Sequence, residues 1–145
     1  MSDVLSAATC RADGRATTYE DAIREAGALL VEAGAVTPAY VDGMLARERT
    51  MTTYMGNGLA IPHGTLESTG EIRRSAVSVV RYPHAVDWKG SPVRVVIGIA
   101  GADGEHLEVL SRIALVFADE EQAARVADAR TVDELMAVLA QVNAA

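Results

Sequence analysis

Apolar residues at Ala22, Ile23, Ala26, Leu29, Leu30 and Ala33 recur at the spacing of one helix face until Gly34 ends the pattern. Thr17 and Glu20 form a capping box ahead of this run, which predicts a first helix. Thr37 followed by Pro38 supplies an N-cap and a proline at the first helical position. The second helix opened there carries Tyr40, Val41, Met44 and Leu45 as its apolar residues and runs out near Arg47 to Arg49. The texture then changes. Thr50 to Tyr54 is rich in β-branched and aromatic residues, and it leads into Leu59, Ala60 and Ile61, an unbroken apolar run expected of a buried strand. Ser75 to Tyr82 and Val93 to Ala100 predict two further strands, linked by a Pro83 segment and a turn at Lys89, Gly90, Ser91 and Pro92. A short strand at Ala85 to Trp88 is placed to form a hairpin with the second of these.

Helical spacing returns after Gly101. His106, Leu107, Val109, Leu110, Ile113, Ala114 and Phe117 make one wide apolar stripe, with Asp103 or Gly104 near its N-terminus and His106 in its first turn. Glu120 to Ala127 predicts a short helix, and Thr131 with Glu134 is a second capping box before Leu135, Met136, Val138, Leu139 and Val142. The order helix, helix, strands, helix, helix, helix implies the α/β class, with helices packed on a mixed sheet. No repeat, low-complexity tract or linker divides the chain, so a single domain over residues 1–145 is expected.

Half the residues are hydrophobic but only 4% are aromatic, so the core must be built mainly from aliphatic side chains. The formal charge is -7, with 20 acidic against 13 basic residues and no lysine run, which excludes a nucleic-acid partner over most of the surface. A basic protein partner remains compatible with that charge. Lys89 is the single lysine; nearly all positive charge is arginine, whose forked donors suit a phosphoryl group. The purely apolar stretches fall far short of the roughly 20 residues that a membrane helix needs. Met1 to Cys10 has no basic region followed by an apolar core, and Cys10 is the only cysteine. These features predict a cytoplasmic protein without direct membrane insertion, and Cys10 reads as a small residue of a semi-ordered N-terminus.

One segment carries most of the chemistry. Gly56, Asn57, Gly58, Leu59, Ala60, Ile61, Pro62, His63 and Gly64 set a histidine at the end of the short apolar run, with glycines on both sides and a proline before it. The glycines permit close approach or positive φ, while Pro62 fixes its own φ and pushes Ile61 into an extended conformation. An imidazole held by so stiff a support, where the strand leaves the core, suits nucleophilic attack better than packing.

This segment, with Met44-Leu45-Ala46-Arg47-Glu48 upstream and Ile99-Ala100-Gly101-Ala102-Asp103-Gly104-Glu105-His106-Leu107 downstream, resembles the enzyme IIA domain of the mannitol/fructose class of the bacterial phosphotransferase system. Thr53-Tyr54-Met55-Gly56, Gly64-Thr65 and Val95-Val96-Ile97-Gly98-Ile99-Ala100 look most like the mannitol-type proteins. The resemblance implies a mixed sheet of about five strands with helices on both faces. It also implies that His63 accepts a phosphoryl group from the phosphocarrier protein HPr, on the tele nitrogen, and passes it to a cysteine of the cognate enzyme IIB. Arg47 matches the arginine that stabilises the phosphoryl group, and His106 matches a second active-site histidine. No cofactor is implied. Leu59, Thr65, Leu66 and Leu107, near these residues in sequence, are candidates for partner docking.

Taken alone, these residues have plainer explanations. Arg47 would close a helix at its negative end, and His106 would be a partly packed first-turn residue. His84 beside Pro83 reads as a turn residue, and Trp88 as packing. A metal site from His63, His84 and His106 would be a weak zinc signature, since no carboxylate stands at ligand spacing. A hydrolase with His63 as base lacks an evident nucleophile. A regulatory, nitrogen-type enzyme IIA, in which phosphorylation alters partner binding, is the alternative within the family.

Overall fold

The computed structural model describes residues 4–102 and 105–143. The elements in chain order are β1 (Cys10–Arg11), α1 (Tyr19–Glu32), α2 (Pro38–Thr50), β2 (Tyr54–Gly56), β3 (Leu59–Ala60), β4 (Ala76–Trp88), β5 (Ser91–Ala100), α3 (His106–Ala118), α4 (Glu120–Ala127) and α5 (Val132–Leu139). The five strands form one mixed sheet in the order β1-β4-β5-β3-β2. β1 runs parallel to β4 and β3 parallel to β5, while β4 with β5 and β2 with β3 are antiparallel.

Alternation along the long strands divides the core between the two faces of the sheet. Val77, Val79, Val95, Ile97 and Ile99 join Val109, Ile113 and Phe117 of α3, Val126 of α4 and Leu135 and Leu139 of α5. Val80, Tyr82, Val96 and Ala100 join Ile23, Ala26 and Leu30 of α1 and Tyr40 and Met44 of α2. The α/β class and the placing of helices on both faces are therefore as expected from the sequence.

Local chemistry accounts for the ends of the elements, with several departures from the sequence pattern. Thr18, one residue after the predicted cap, accepts from Asp21 N at the start of α1, because its extended backbone brings its hydroxyl over the first turn. Gly34, at φ 74°, stops that helix. Thr37 caps α2 by position only; its hydroxyl donates to the Glu71 carboxylate instead. At α5, Thr131 accepts from Glu134 N as a capping box requires, but Glu134 reaches one residue further back, to Arg130 N. The β-branched and aromatic stretch Thr50 to Tyr54 enters the sheet only at Tyr54, since Thr50 still belongs to α2.

The hairpin turn is shorter than predicted. Lys89 and Gly90 both take positive φ, the conformation of a two-residue turn that matches strand twist, so Ser91 and Pro92 already lie in β5. Val86, Asp87 and Trp88 pair with Val93, Pro92 and Ser91, and the preceding strand continues into them through an irregularity between Arg81 and Val86. His84 is therefore an exposed residue of a bulged strand and not of a turn. Cys10 also departs from its expected place. It is buried in β1 against Met136, and burial pushes its thiol up to about 11.

Candidate functional site

Because β3 and β5 are parallel, their C-terminal ends share one edge of the sheet, the usual location of a site in an open α/β fold. His63 follows β3 and bridges to Ile99 near the end of β5. The sequence frame explains this placement. Gly56, Asn57 and Gly58 take positive φ of 92°, 50° and 75° to turn β2 into β3, and Ile61 N then donates to Thr53 O. Gly64 serves differently, since a Cβ there would overlap Ser68 Oγ and the Tyr40 ring. Gly101 has the same use on the other strand, where a Cβ would strike the backbone of His106. Close approach at Gly101 is what sets the first residue of α3 against the end of β5.

His63 and His106 consequently face each other, with ring centroids 5.1 Å apart and planes inclined by 58°. Nδ1 of His63 lies 2.9 Å from the Ile61 carbonyl oxygen. A carbonyl only accepts, so Nδ1 carries the proton and Nε2 holds the lone pair in the neutral ring. Burial lowers the His63 pKa below its ordinary 6.5, and the neighbouring His106 and Arg47 charges push the same way against the Ile61 carbonyl. Burial likewise lowers that of His106. Both rings are thereby favoured in their neutral forms near pH 7.

His63, His106 and Arg47 line one cleft of about 550 Å³, together with Tyr40, Thr50, Gly64, Thr65 and Leu66. Arg47 stands one turn before the end of α2 and donates from Nη1 to Met51 O at 2.7 Å, so it both closes the helix and reaches the cleft. Ser75 holds the approach to α3, since its Oγ donates to Glu105 Oε1 and accepts from Ala102 N, each at 2.8 Å. Asp103 and Gly104, expected near that helix N-terminus, lie outside the described residues.

The docking candidates divide. Leu66 is 91% exposed and Leu107 72% exposed, both beside the cleft residues in sequence. Leu59 is 1% exposed and packed in the core, so it offers no surface to a partner; β3 is buried on both faces. Thr65 lines the cleft, but its hydroxyl is engaged with Ser68 at the turn that follows. His84 lies in the irregularity between Arg81 and Val86 of β4, whereas His63 bridges to Ile99 near the end of β5, and among the described residues no group of three His, Cys, Asp or Glu is placed to hold a metal.

Two contributors escape inspection of the sequence. Glu48, next to Arg47, is 1% exposed. Its Oε1 accepts from Thr53 N at 2.9 Å and Thr53 Oγ1 at 2.6 Å, and its Oε2 accepts from Trp88 Nε1 at 3.1 Å and faces Lys89 Nζ at 3.2 Å. Burial works to raise its pKa, yet these donors hold it below the ordinary carboxylate value. An acid four residues after Met44, on the apolar stripe of α2, was the available signal. The second contributor is Tyr40, which periodicity alone assigns to packing.

The fold and the paired histidines define a phosphotransferase-system enzyme IIA. The model of the family described as phosphoenolpyruvate-dependent sugar phosphotransferase system, EIIA 2, matches residues 3–142, and the chain belongs to that family, a phosphocarrier component of the system. Two of its relatives are described as mannitol-specific. The mannitol-specific phosphotransferase enzyme IIA component of Halalkalibacterium halodurans is 47% identical over 140 residues, spanning 97% of each chain. The protein of the same description from Staphylococcus aureus is 42% identical over 144 residues, spanning 99% of this chain and all of that one. Among solved structures, the complex of enzyme IIAMTL and phosphorylated enzyme IIBMTL from Escherichia coli aligns with TM-score 0.88 at 37% identity, over 94% of this chain and 96% of that chain.

Proposed function

We propose that His63 accepts a phosphoryl group from phospho-HPr on Nε2 and passes it to a cysteine of a mannitol-type enzyme IIB in the cytoplasm. The observation that carries this reading is the Nδ1–H bond to the Ile61 carbonyl, which presents the Nε2 lone pair while Arg47 and His106 line the same cleft. In the first step Nε2 attacks phosphorus, and the donor's phosphorus–nitrogen bond breaks with its electron pair returning to the donor imidazole. The His63 ring gains positive charge as it attacks, and the Ile61 carbonyl dipole stabilises that charge. In the second step a cysteine thiolate attacks phosphorus, and the electron pair of the broken bond returns to Nε2.

Such transfers pass through a loose transition state, so the protein's work is alignment and stabilisation of charge on the equatorial oxygens. Arg47 supplies the fixed positive charge, and neutral His106 supplies a ring N–H. Leu66, which lines the cleft, and Leu107, next to His106, offer exposed apolar side chains for docking a partner that must release quickly. The mannitol relatives support the transport role over the regulatory one. The test is a relay from radiolabelled phosphoenolpyruvate through enzyme I and HPr to this chain, then to mannitol-type and fructose-type enzyme IIB. Label should reach the mannitol-type cysteine faster, and equal or reversed transfer overturns the assignment of the branch.

A further inference from the structure

The backbone around His63 forms an interrupted ladder. In a parallel bridge Ile99 would donate to the carbonyl before His63 and accept from the amide after it. The first bond is present, from Ile99 N to Pro62 O at 3.0 Å. The second is relayed: Gly64 N donates to the Tyr40 hydroxyl at 2.9 Å, and that hydroxyl donates to Ile99 O at 2.8 Å. One phenol oxygen is inserted where a direct strand-to-strand bond would otherwise close. Tyr40 is 2% exposed, and burial raises its pKa, so the hydroxyl keeps the proton it donates. The bare Gly64 Cα is what admits the ring.

We propose that Tyr40 is a positioning residue for phosphoryl transfer, its hydroxyl holding the peptide after His63 off β5 and setting the direction in which the imidazole enters the cleft. The inference rests on the assignment of His63 as acceptor. A direct Gly64–Ile99 bond would draw the His63 peptide toward β5 and rotate the ring with it. Tyr40 also sits on α2, two turns before Arg47, so one hydroxyl registers the helix that carries the arginine against the backbone that carries the nucleophile. Alignment of the attacking nitrogen and the charge stabiliser thus depends on a residue that need not touch the phosphoryl group.

The test compares Tyr40→Phe with Tyr82→Phe. Tyr82 is an equally buried phenol that donates to Glu25 Oε1 at 2.6 Å on α1, away from the cleft. Both variants lose one buried hydroxyl, and both should lower the melting temperature. Only Tyr40→Phe should lower kcat for uptake from phospho-HPr, by about tenfold to a hundredfold as expected of misalignment, with KM nearly unchanged. An unchanged kcat in Tyr40→Phe, or an equal fall in Tyr82→Phe, overturns the proposal. A readout on the unmodified protein stands apart from any folding defect: the Gly64 amide should exchange with deuterium as slowly as that of Ile99, and rapid exchange overturns the proposal as well. Uptake by the wild type with no Tyr40 effect removes the positioning role alone, whereas no uptake by the wild type removes the acceptor assignment with it.

Discussion

His63 donates its Nδ1 proton to the carbonyl oxygen of Ile61, two residues back in its own chain, across 2.9 Å. The contact is local, yet it decides the chemistry of the ring, because it fixes which nitrogen can act as nucleophile. The extended backbone that Pro62 imposes on Ile61 belongs to the same short stretch that brings the carbonyl within reach. The remaining parts of the site are long-range: His106 arrives through the close approach at Gly101, and Arg47 through α2.

The pH dependence follows from the depressed histidines. Burial first, then the charges of His106 and Arg47, hold the His63 pKa below 6.5. The uptake rate should therefore be flat near pH 7 and fall at lower pH, with a midpoint below 6.5. Stability moves in the same direction: each ring binds its proton more readily in the unfolded chain, so stability is lost as pH falls from about 6.5 through the folded pKa. An NMR titration of the ring protons reads both values, and a His63 midpoint above 6.5 would contradict the account.

Arg47→Ala should reduce phosphoryl uptake by about a hundredfold, the scale of removing one preorganised charge stabiliser. Arg47→Lys should recover part of this, since a point charge replaces the forked donors. Both should unfold within about 1 kcal/mol of the wild type, because the bond to Met51 O is exposed. Single-turnover transfer and urea denaturation check the pair. His106→Ala should slow transfer less than Arg47→Ala.

Glu48→Ala should cost about 3 kcal/mol of stability, as Thr53 and Trp88 lose their buried acceptor. Lys89 is more than a third exposed, so its share of the loss is screened and small. Guanidinium unfolding measures the total, and a loss under about 1 kcal/mol would show that the carboxylate is not an anchor.

Leu66→Asp and Leu107→Asp should each raise KM for phospho-HPr by about tenfold and leave kcat and melting temperature nearly unchanged, as expected of exposed docking side chains. Steady-state transfer with varied HPr provides the measurement. An unchanged KM in both variants would move the docking surface elsewhere.

Much of this architecture was legible in local patterns. Glu120 to Ala127 forms α4 as its composition predicts, and the strand around Val95 to Ala100 follows its apolar run. His63, Arg47 and His106 could be singled out because a glycine–proline frame and a family resemblance mark them, and the fold brings all three to one cleft. Short-range rules failed where a distant partner decides. Cys10 and Arg11 become a strand only because β4 lies beside them, at Val79 and Val80. Leu59 is near His63 in sequence but is buried in the core, since β3 lies between β5 and β2 with both of its faces covered. Tyr40 and Glu48 looked like ordinary positions of α2, for their bonds reach to Gly64, Ile99 and Trp88 and leave no local periodicity.

The central claim is that Nε2 of His63 carries the phosphoryl group, and phosphorus NMR of the chain after incubation with phosphoenolpyruvate, enzyme I and HPr tests it most directly. One phosphohistidine resonance should appear, with phosphorus–proton and nitrogen correlations that place it on Nε2 of His63, and it should be absent in His63→Ala. A resonance on Nδ1, on His106, or persisting in His63→Ala would contradict the account.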